Sequence, residues 1–284
     1  MGPIVAVIAP GAMGSAVARC LTGQGIAVRT LLAGRTGASA ARAEAAGMRA
    51  TDEAGIASAD FVLSIVPPAV AVGLAERLVP ALTRAARKPV YVDCNAISPA
   101  TMARVAAILA PTGCAVVDAG IIGPPPVPGA GATRIYLSGP AAARVAALEA
   151  FGLEMPVLDG PVGAASAMKL SYAGITKGFT ALGAMMLLAA TREGTAGALR
   201  RELAQSQPAL LGWLGRQMPR MYDKAYRWVA EMEEIAAFAG AGDPAARQSF
   251  AAAAALYARL AADHAGDARE TAALTEFLAP PASP

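Results

Sequence analysis

Two places in this chain carry residue types and spacings that can do chemistry. The first is a lysine. Lys169 lies in an apolar stretch of small residues, Ala164 to Leu170, directly after Gly160-Pro161-Val162-Gly163. On a helix, Tyr172 at i+3 and Thr176 at i+7 share its face, and Lys177 follows at i+8. A partly desolvated lysine can have its pKa lowered into a catalytic range. As an ammonium it can protonate a carbonyl oxygen that is receiving hydride; as a neutral amine it can take the proton of an alcohol. The alternative is a lysine that snorkels or pairs with a phosphate at a helix start. These residues alone leave both readings open.

The second place is a glycine loop. The apolar run Pro3 to Ala9 ends at Pro10 and opens into Gly11-Ala12-Met13-Gly14, a G-x-G-x-x-G pattern whose first glycine is Ala9. Gly11 lets a backbone approach a pyrophosphate, Gly14 lets a helix pack on its strand, and the helix N-terminus turns free N–H groups toward phosphate. The motif is weak alone but stands at the first strand-to-helix junction, where a dinucleotide site requires it. About twenty residues on, NAD sites usually carry an acid for the ribose hydroxyl. Here the sequence reads Ala33-Gly34-Arg35-Thr36, with Arg42 beyond and no acid. Arg35 and Thr36 suit a 2′-phosphate, so NADP(H) is favoured over NAD(H).

The rest of the inventory excludes other chemistries. The chain has one histidine, His264, and three cysteines, Cys20, Cys94 and Cys114. No metal site is expected, and a triad would have to use His264, which has no supporting motif. Cys94 has no evident base to activate it. The odd, scattered cysteines fit a reducing, cytoplasmic setting. The net charge of +3 and 5% aromatics give no support to nucleic-acid binding. The mean hydropathy of +0.45 is high, but the most apolar stretch, 178–190, falls short of the roughly 20 residues a membrane span needs. It reads as a buried core helix, and no membrane partner is expected.

Elements must place these residues. Short apolar runs at 26–32, 61–66, 90–92, 115–117 and 134–137 follow the first strand, separated by helical patterns at 38–47, 69–86, 99–109 and 140–151. That alternation predicts βαβ units. After about residue 160 the strand signal stops, and helices are predicted over 163–191, 194–205, 207–218, 221–240 and 244–265. The expected fold class is α/β: an N-terminal Rossmann-type doubly wound parallel sheet, a long connecting helix and an all-α C-terminal domain. The expected boundaries are 1–160, 161–192 and 193–279, with a disordered tail at 280–284.

Seven segments, in order, resemble the β-hydroxyacid dehydrogenase superfamily, which includes 6-phosphogluconate and 3-hydroxyisobutyrate dehydrogenases. They are Gly11 to Gly14 (phosphate loop); Gly34-Arg35-Thr36 (an N-R-T type loop of NADP users); Ser64-Ile65-Val66-Pro67-Pro68 (the loop flanking the nicotinamide); Asp93 to Pro99 (D-x-S-T-x-x-P); Asp118 to Gly123 (D-A-P-V-S-G); Gly163-x-Ala165-x-x-x-Lys169 (G-x-G-x-x-x-K); and Arg227 to Ile235 (R-W-x-x-E-M-x-E-I). The last is similar to a branch of NAD(P)-dependent oxidoreductases whose helical domain carries the name DUF1932.

The resemblance implies Lys169 as general acid/base, with Gly11, Ala12, Met13, Gly14, Arg35, Thr36, Val66, Pro67 and Asn95 toward the cofactor. Asn95, Ile122, Gly123, Tyr172, Ala173 and Lys177 fall toward a small-molecule substrate. It also implies a homodimer, with the second domain helping to close the cleft. Two departures stand out: the family's substrate-loop serine is Ile122, and the asparagine four residues after the lysine is Ala173. Those apolar positions favour a bulkier 3-hydroxy acid or 3-hydroxy-2-amino acid, with Asn95 or Lys177 supplying the missing polar contact. Two alternatives are an imine reductase on the same scaffold, kept open by Tyr172, and a non-catalytic NADPH-binding sensor. Glu231, Glu233 and Glu234 read as a solvated or dimer-pairing face, Trp213 and Trp228 as core or interface, and His264 as a surface residue.

Overall fold

The computed structural model describes residues 2–279; the expected disordered tail at 280–284 lies outside them. The chain divides into two compact units, Met1–Leu170 and Ser171–Pro284.

The first unit is built on one seven-stranded sheet. In chain order its elements are β1 (Ile4–Ile8), α1 (Ala12–Gly23), β2 (Ala27–Leu31), α2 (Gly37–Ala45), β3 (Arg49–Thr51), α3 (Glu53–Ala57), β4 (Phe61–Ser64), α4 (Ala71–Arg84), β5 (Val90–Asp93), α5 (Pro99–Leu109), β6 (Ala115–Ile122), β7 (Arg134–Ser138) and α6 (Ala142–Ala146). The spatial order is β3-β2-β1-β4-β5-β6-β7. The order reverses between β1 and β4, which makes that crevice the switch point where open α/β sheets bind ligands. One apolar layer packs Val5, Val7, Val17, Leu21, Val92 and Val117. The other packs Ile8, Val62, Leu74, Leu78, Tyr91 and Met102. Burial on both faces explains why the inner strands read as unbroken apolar runs.

Three differences from the sequence reading have local causes. β7 runs antiparallel to β6. A parallel return needs a crossover of about a dozen or more residues, usually a helix, and the Pro/Gly-rich segment 123–133 forms none. β3 is three residues at the sheet edge, with exposed Arg49 and Ala50, so it carries no apolar run. The short α3 starts on its Asp52 cap, which accepts from the Gly55 N–H at 2.8 Å, and is too brief to show a helical period.

The second unit is helical among its described residues: the rest of α7 (Ala164–Arg192), then α8 (Ala196–Ser206), α9 (Pro208–Met221), α10 (Ala225–Ala239), α11 (Pro244–Ala265) and α12 (Arg269–Leu278). The last was not expected. Asp263 starts it from outside, accepting from the Glu270 and Thr271 N–H groups at 2.9 Å each.

The expectation that α7 is a buried core helix needs correction. Among the described residues it is long and apolar enough, by length and composition, to cross a membrane. One face is buried, through Ala173, Ala181, Ala184, Leu187 and Leu188. The other presents Tyr172, Ile175, Phe179, Leu182 and Met186, each between 46% and 73% exposed. Their spacing, alternating three and four, is an a/d seam.

Candidate active site

The loops singled out in the sequence sit at the carboxyl ends of parallel strands. Ala9 to Gly14 follows β1, Leu32 to Thr36 follows β2, Ile65 to Pro68 follows β4 and Cys94 to Ser98 follows β5. A chain of hydrogen bonds pins them together. The Ala9 N–H donates to Ile65 O at 3.2 Å. The Val66 N–H donates to Asn95 Oδ1 at 2.6 Å, and the Asn95 N–H donates to Asp93 Oδ1 at 2.9 Å.

The phosphate loop has the form its sequence implied. A Cβ on Gly14 would stand 2.0 Å from Ala9 O, so glycine alone allows α1 to start this close to β1. A Cβ on Gly11 would meet nothing within 4 Å, so the loop is open on the side a ligand approaches. No side chain among the described residues caps α1, and its first turn holds no acid. The N–H groups of Ala12, Met13 and Gly14 therefore make an anion cradle, and these residues fit a dinucleotide pyrophosphate.

Past β2, Arg35 is exposed. Thr36 caps α2, its Oγ1 accepting from the Ser39 N–H at 3.3 Å. Arg42, which the sequence places only beyond the Arg35 loop, reaches back to the phosphate loop, its Nε donating to Pro10 O at 3.1 Å. Arg35 and Arg42 both lie in the stretch after β2, and no carboxylate occurs between Leu31 and Thr36.

Asn95 is 2% exposed and works within the framework. Its Oδ1 holds Val66, and its Nδ2 donates to Ser64 Oγ at 2.9 Å. It positions the Val66-Pro67 loop rather than presenting an open amide. Cys94 is buried beside it. Burial first, then the Asp93 charge, pushes the thiol up, so it is no nucleophile at neutral pH.

The lysine helix is set by residues that the sequence shows only as parts of motifs. Asp118, on β6 and fully buried, gathers four donors at the start of α7. Oδ2 accepts from the Gly163 N–H at 3.0 Å, the Ser166 N–H at 2.8 Å and Ser138 Oγ at 3.2 Å. Oδ1 accepts from Ser166 Oγ at 2.6 Å. Ser138 Oγ in turn accepts from the Ala165 N–H at 3.0 Å, and the Ala164 N–H finds Pro161 O at 3.1 Å. Every N–H from Gly163 to Ser166 is satisfied.

Gly120 completes the seating: a Cβ there would lie 2.7 Å from Ala165 O and 3.0 Å from Lys169 Cβ. Lys169 itself is partly buried, close enough for its charge to act on Asp93 and Cys94. The signal that could have found Asp118 was an acid at a strand end, shared with Asp93, in a region otherwise poor in charge. Ile122 ends β6, and Gly123 opens the Pro-rich segment after it.

In the second unit, Ala173 is buried and Tyr172 is 51% exposed. Lys177 is not on the surface: its ammonium pairs with Glu231 and lies 4.9 Å from the centre of the Trp228 ring. The Tyr257 hydroxyl donates to Lys177 O at 2.5 Å, and the Tyr257 ring meets the Trp228 ring edge-on. Burial, helped by the Glu231 charge, pushes that hydroxyl up, so it remains a donor. Glu231 is therefore not on a fully solvated face; it is half-buried and pairs with the half-buried Lys177 ammonium. Lys177 and Glu231 tie α7 to α10 within this unit. His264 pairs with Asp223 at 3.0 Å on the surface. Trp213 packs edge-on against Phe179 at 5.5 Å.

Because Asp118 answers two backbone and two hydroxyl donors in a dry site, Asp118→Ala should cost about 3–5 kcal/mol of stability. Asp118→Asn, which loses acceptor capacity but keeps the shape, should cost roughly half of that. Urea unfolding of the two variants against wild type measures both.

Comparison with known proteins fits this geometry. The NAD binding domain of 6-phosphogluconate dehydrogenase matches residues 4–152, more than half of the chain, and a domain of unknown function, DUF1932, matches residues 190–260. No curated protein matches the sequence. Among solved structures, conserved protein MTH1747, of unknown function and described as similar to 3-hydroxyacid dehydrogenases, is 28% identical. The match covers 90% of this chain and 96% of that one, with a TM-score of 0.69. A 3-hydroxyisobutyrate dehydrogenase of Mycobacterium tuberculosis, solved with L-serine, is 21% identical, over 98% of this chain and 100% of its own, with a TM-score of 0.67. An imine reductase variant of Myxococcus stipitatus, solved with NAD+, is 21% identical over the same shares, with a TM-score of 0.60. The last two are likenesses of fold. With its uncapped phosphate loop at the switch point of the sheet and its lysine helix seated on β6, the chain belongs to the β-hydroxyacid dehydrogenase superfamily of NAD(P)-binding proteins, in the branch that carries a DUF1932 domain.

Proposed function

We propose that this protein is an NADP(H)-dependent oxidoreductase that interconverts a secondary alcohol and a ketone, with Lys169 as general acid/base. When bound, a nicotinamide supplies or accepts the hydride. The observation that carries the reading is the seating of Lys169. A helix whose first N–H groups are all satisfied, packed to contact on Gly120, holds one cationic side chain beside the carboxyl ends of β5 and β6. Reduction leaves charge on the carbonyl oxygen, which the Lys169 ammonium neutralises by giving a proton; in the reverse direction the amine takes the hydroxyl proton. The cradle at Ala12 to Gly14 would hold the pyrophosphate, and the Val66-Pro67 loop, fixed by Asn95, would lie toward the nicotinamide, as the resemblance implies.

The substrate class is a 3-hydroxy acid or 3-hydroxy-2-amino acid with apolar bulk. Ile122, at the position of the family's substrate-loop serine, offers no hydrogen bond to a small polar acid. Lys177 has Glu231 as its partner and is left out of the substrate set. Imine reduction is the second reading, favoured by the Myxococcus stipitatus likeness and by Tyr172; it does not require a lysine to protonate an alkoxide. The buried free thiols suit a reducing, cytoplasmic setting.

The a/d seam of α7 supports a homodimer in which two copies of this face pack together. Five large apolar side chains in such a row are uncommon on a face left in water, and the 3-4 spacing suits pairing with a second α7.

Lys169→Ala should lower kcat by about 10²–10⁴-fold with NADPH binding retained. A panel of 3-hydroxy acids, phenylserine-like amino acids, ketones and cyclic imines, followed by the absorbance of the reduced nicotinamide, identifies the substrate class. Turnover of imines alone would favour the second reading, and no turnover at all the sensor.

NADPH should bind more tightly than NADH in a fluorescence titration. Arg35→Ala should weaken NADPH by about 10–100-fold, the worth of a charge-assisted phosphate contact, and leave NADH unchanged.

Light scattering should give twice the 28.4 kDa chain mass, and Leu182→Glu should return it to the monomer value.

A further inference from the structure

One row of side chains crosses the first unit's sheet beneath the start of α7. Strand register pairs Ser64 with Asp93, Asp93 with Asp118, and Asp118 with Ser138. All four are buried, none more than 1% exposed. Their strand neighbours Leu63, Val92, Val117 and Leu137 belong to the opposite apolar layer, so the row lies on the face covered by α4 and α5. Two carboxyl groups thus stand side by side in a dry layer, and they are not equivalent. Asp118 meets four donors. Asp93 receives the Asn95 N–H on Oδ1, while its Oδ2 is buried with no hydrogen-bond partner among the described residues.

We propose that Asp93 is a positioning residue for the reaction: it carries a proton of its own and, through its charge, sets the protonation of Lys169 without touching substrate. The proposal rests on the reading of Lys169 as general acid/base. An unmatched carboxylate oxygen in an apolar layer is costly, and a proton on that oxygen lowers the cost. Asp93 is pushed up to about 7: burial is the chief cause and the Asp118 charge adds to it, against the Asn95 hydrogen bonds and the Lys169 ammonium, which pull it down. The charged and titratable groups facing it are Asp118 from β6 and Lys169 from α7, with Tyr91 and Cys94 along its own strand. Ser64 on β4 and Asn95 are neutral neighbours.

The coupling is reciprocal. Whatever the ammonium does for the Asp93 carboxylate, that carboxylate does for the ammonium. As pH rises and Asp93 gives up its proton, the new negative charge holds the proton on Lys169 more tightly. The lysine then stays an acid over a wider range than it would beside a neutral residue at position 93.

Three measurements test this. The first is a carbon NMR titration of wild-type protein labelled at its aspartate carboxyls, which needs no variant and no substrate. One resonance, absent in Asp93→Asn, should titrate near 7; midpoints that all lie below about 5 overturn the proposal. The second is thermal unfolding against pH. A carboxyl raised in the folded state favours folding at low pH, and that contribution is lost as pH rises from the ordinary aspartate range through about 7. The Tm of Asp93→Asn minus that of wild type should therefore grow between acid and mildly alkaline pH; a constant difference counts against the proposal. The third is the kcat profile for carbonyl reduction. Its alkaline limb should move down by about one pH unit in Asp93→Asn. An unmoved limb, with the NMR titration as expected, overturns the coupling and leaves the Lys169 reading standing. Loss of the Lys169 role leaves the first two measurements decisive for the Asp93 proton.

Discussion

The interaction on which the site depends is the capping of α7 by Asp118. A helix start buried against a sheet leaves several N–H groups without intrahelical partners, and in a dry environment each unmet donor is costly. Here the acceptor comes from another element, the middle of β6, and serves Gly163 and Ser166 together. The cap thus ties the N-terminus of the helix to one point on one strand. Lys169, six residues into the helix, inherits its position from that tie.

Gly120 works with it. Two residues beyond Asp118 on β6, it lies under Ala165 and Lys169, where any side chain would force the helix away. The hydrogen bonds set where the helix begins and the bare backbone sets how closely it lies. Asn95 has the matching role on the neighbouring strand, joining β5 to the end of β4 and so to the phosphate loop. The framework that places Lys169 and the phosphate loop is built largely of buried polar groups that bond to one another. In the second unit, Lys177, Glu231, Trp228 and Tyr257 form one connected group.

A polar row through an apolar layer usually has a use, because burial of carboxyl groups is unfavourable unless they are matched. One member, Asp118, is matched fully and acts as a structural acceptor. The other, Asp93, is matched on one oxygen, and that asymmetry separates a cap from a titrating neighbour of Lys169. Both come from the same sequence device, an aspartate directly after a valine in a strand, and only their surroundings distinguish them.

Much of this was readable from the chain. The Ala9 to Gly14 loop, the missing acid near Arg35, the ends of α5 and α11 and the lysine stretch are local features, set by turn chemistry, capping and short-range periodicity. What the chain alone did not reveal is non-local. The strands are buried on both faces, so no polar alternation marks which side Asp93 and Asp118 point to; only strand register aligns Ser64, Asp93, Asp118 and Ser138. Asn95 read as a ligand contact because the partners of its amide lie about thirty residues away in sequence, at Ser64 and Val66. Glu231 read as solvated because its partner lies on another helix. β7 reversed because the loop before it supplied no crossover. Local physics wrote the elements, and the decision about which polar groups meet waited for the packing, since a hydrogen bond or an ion pair depends on distance in space and the sequence records only distance along the chain.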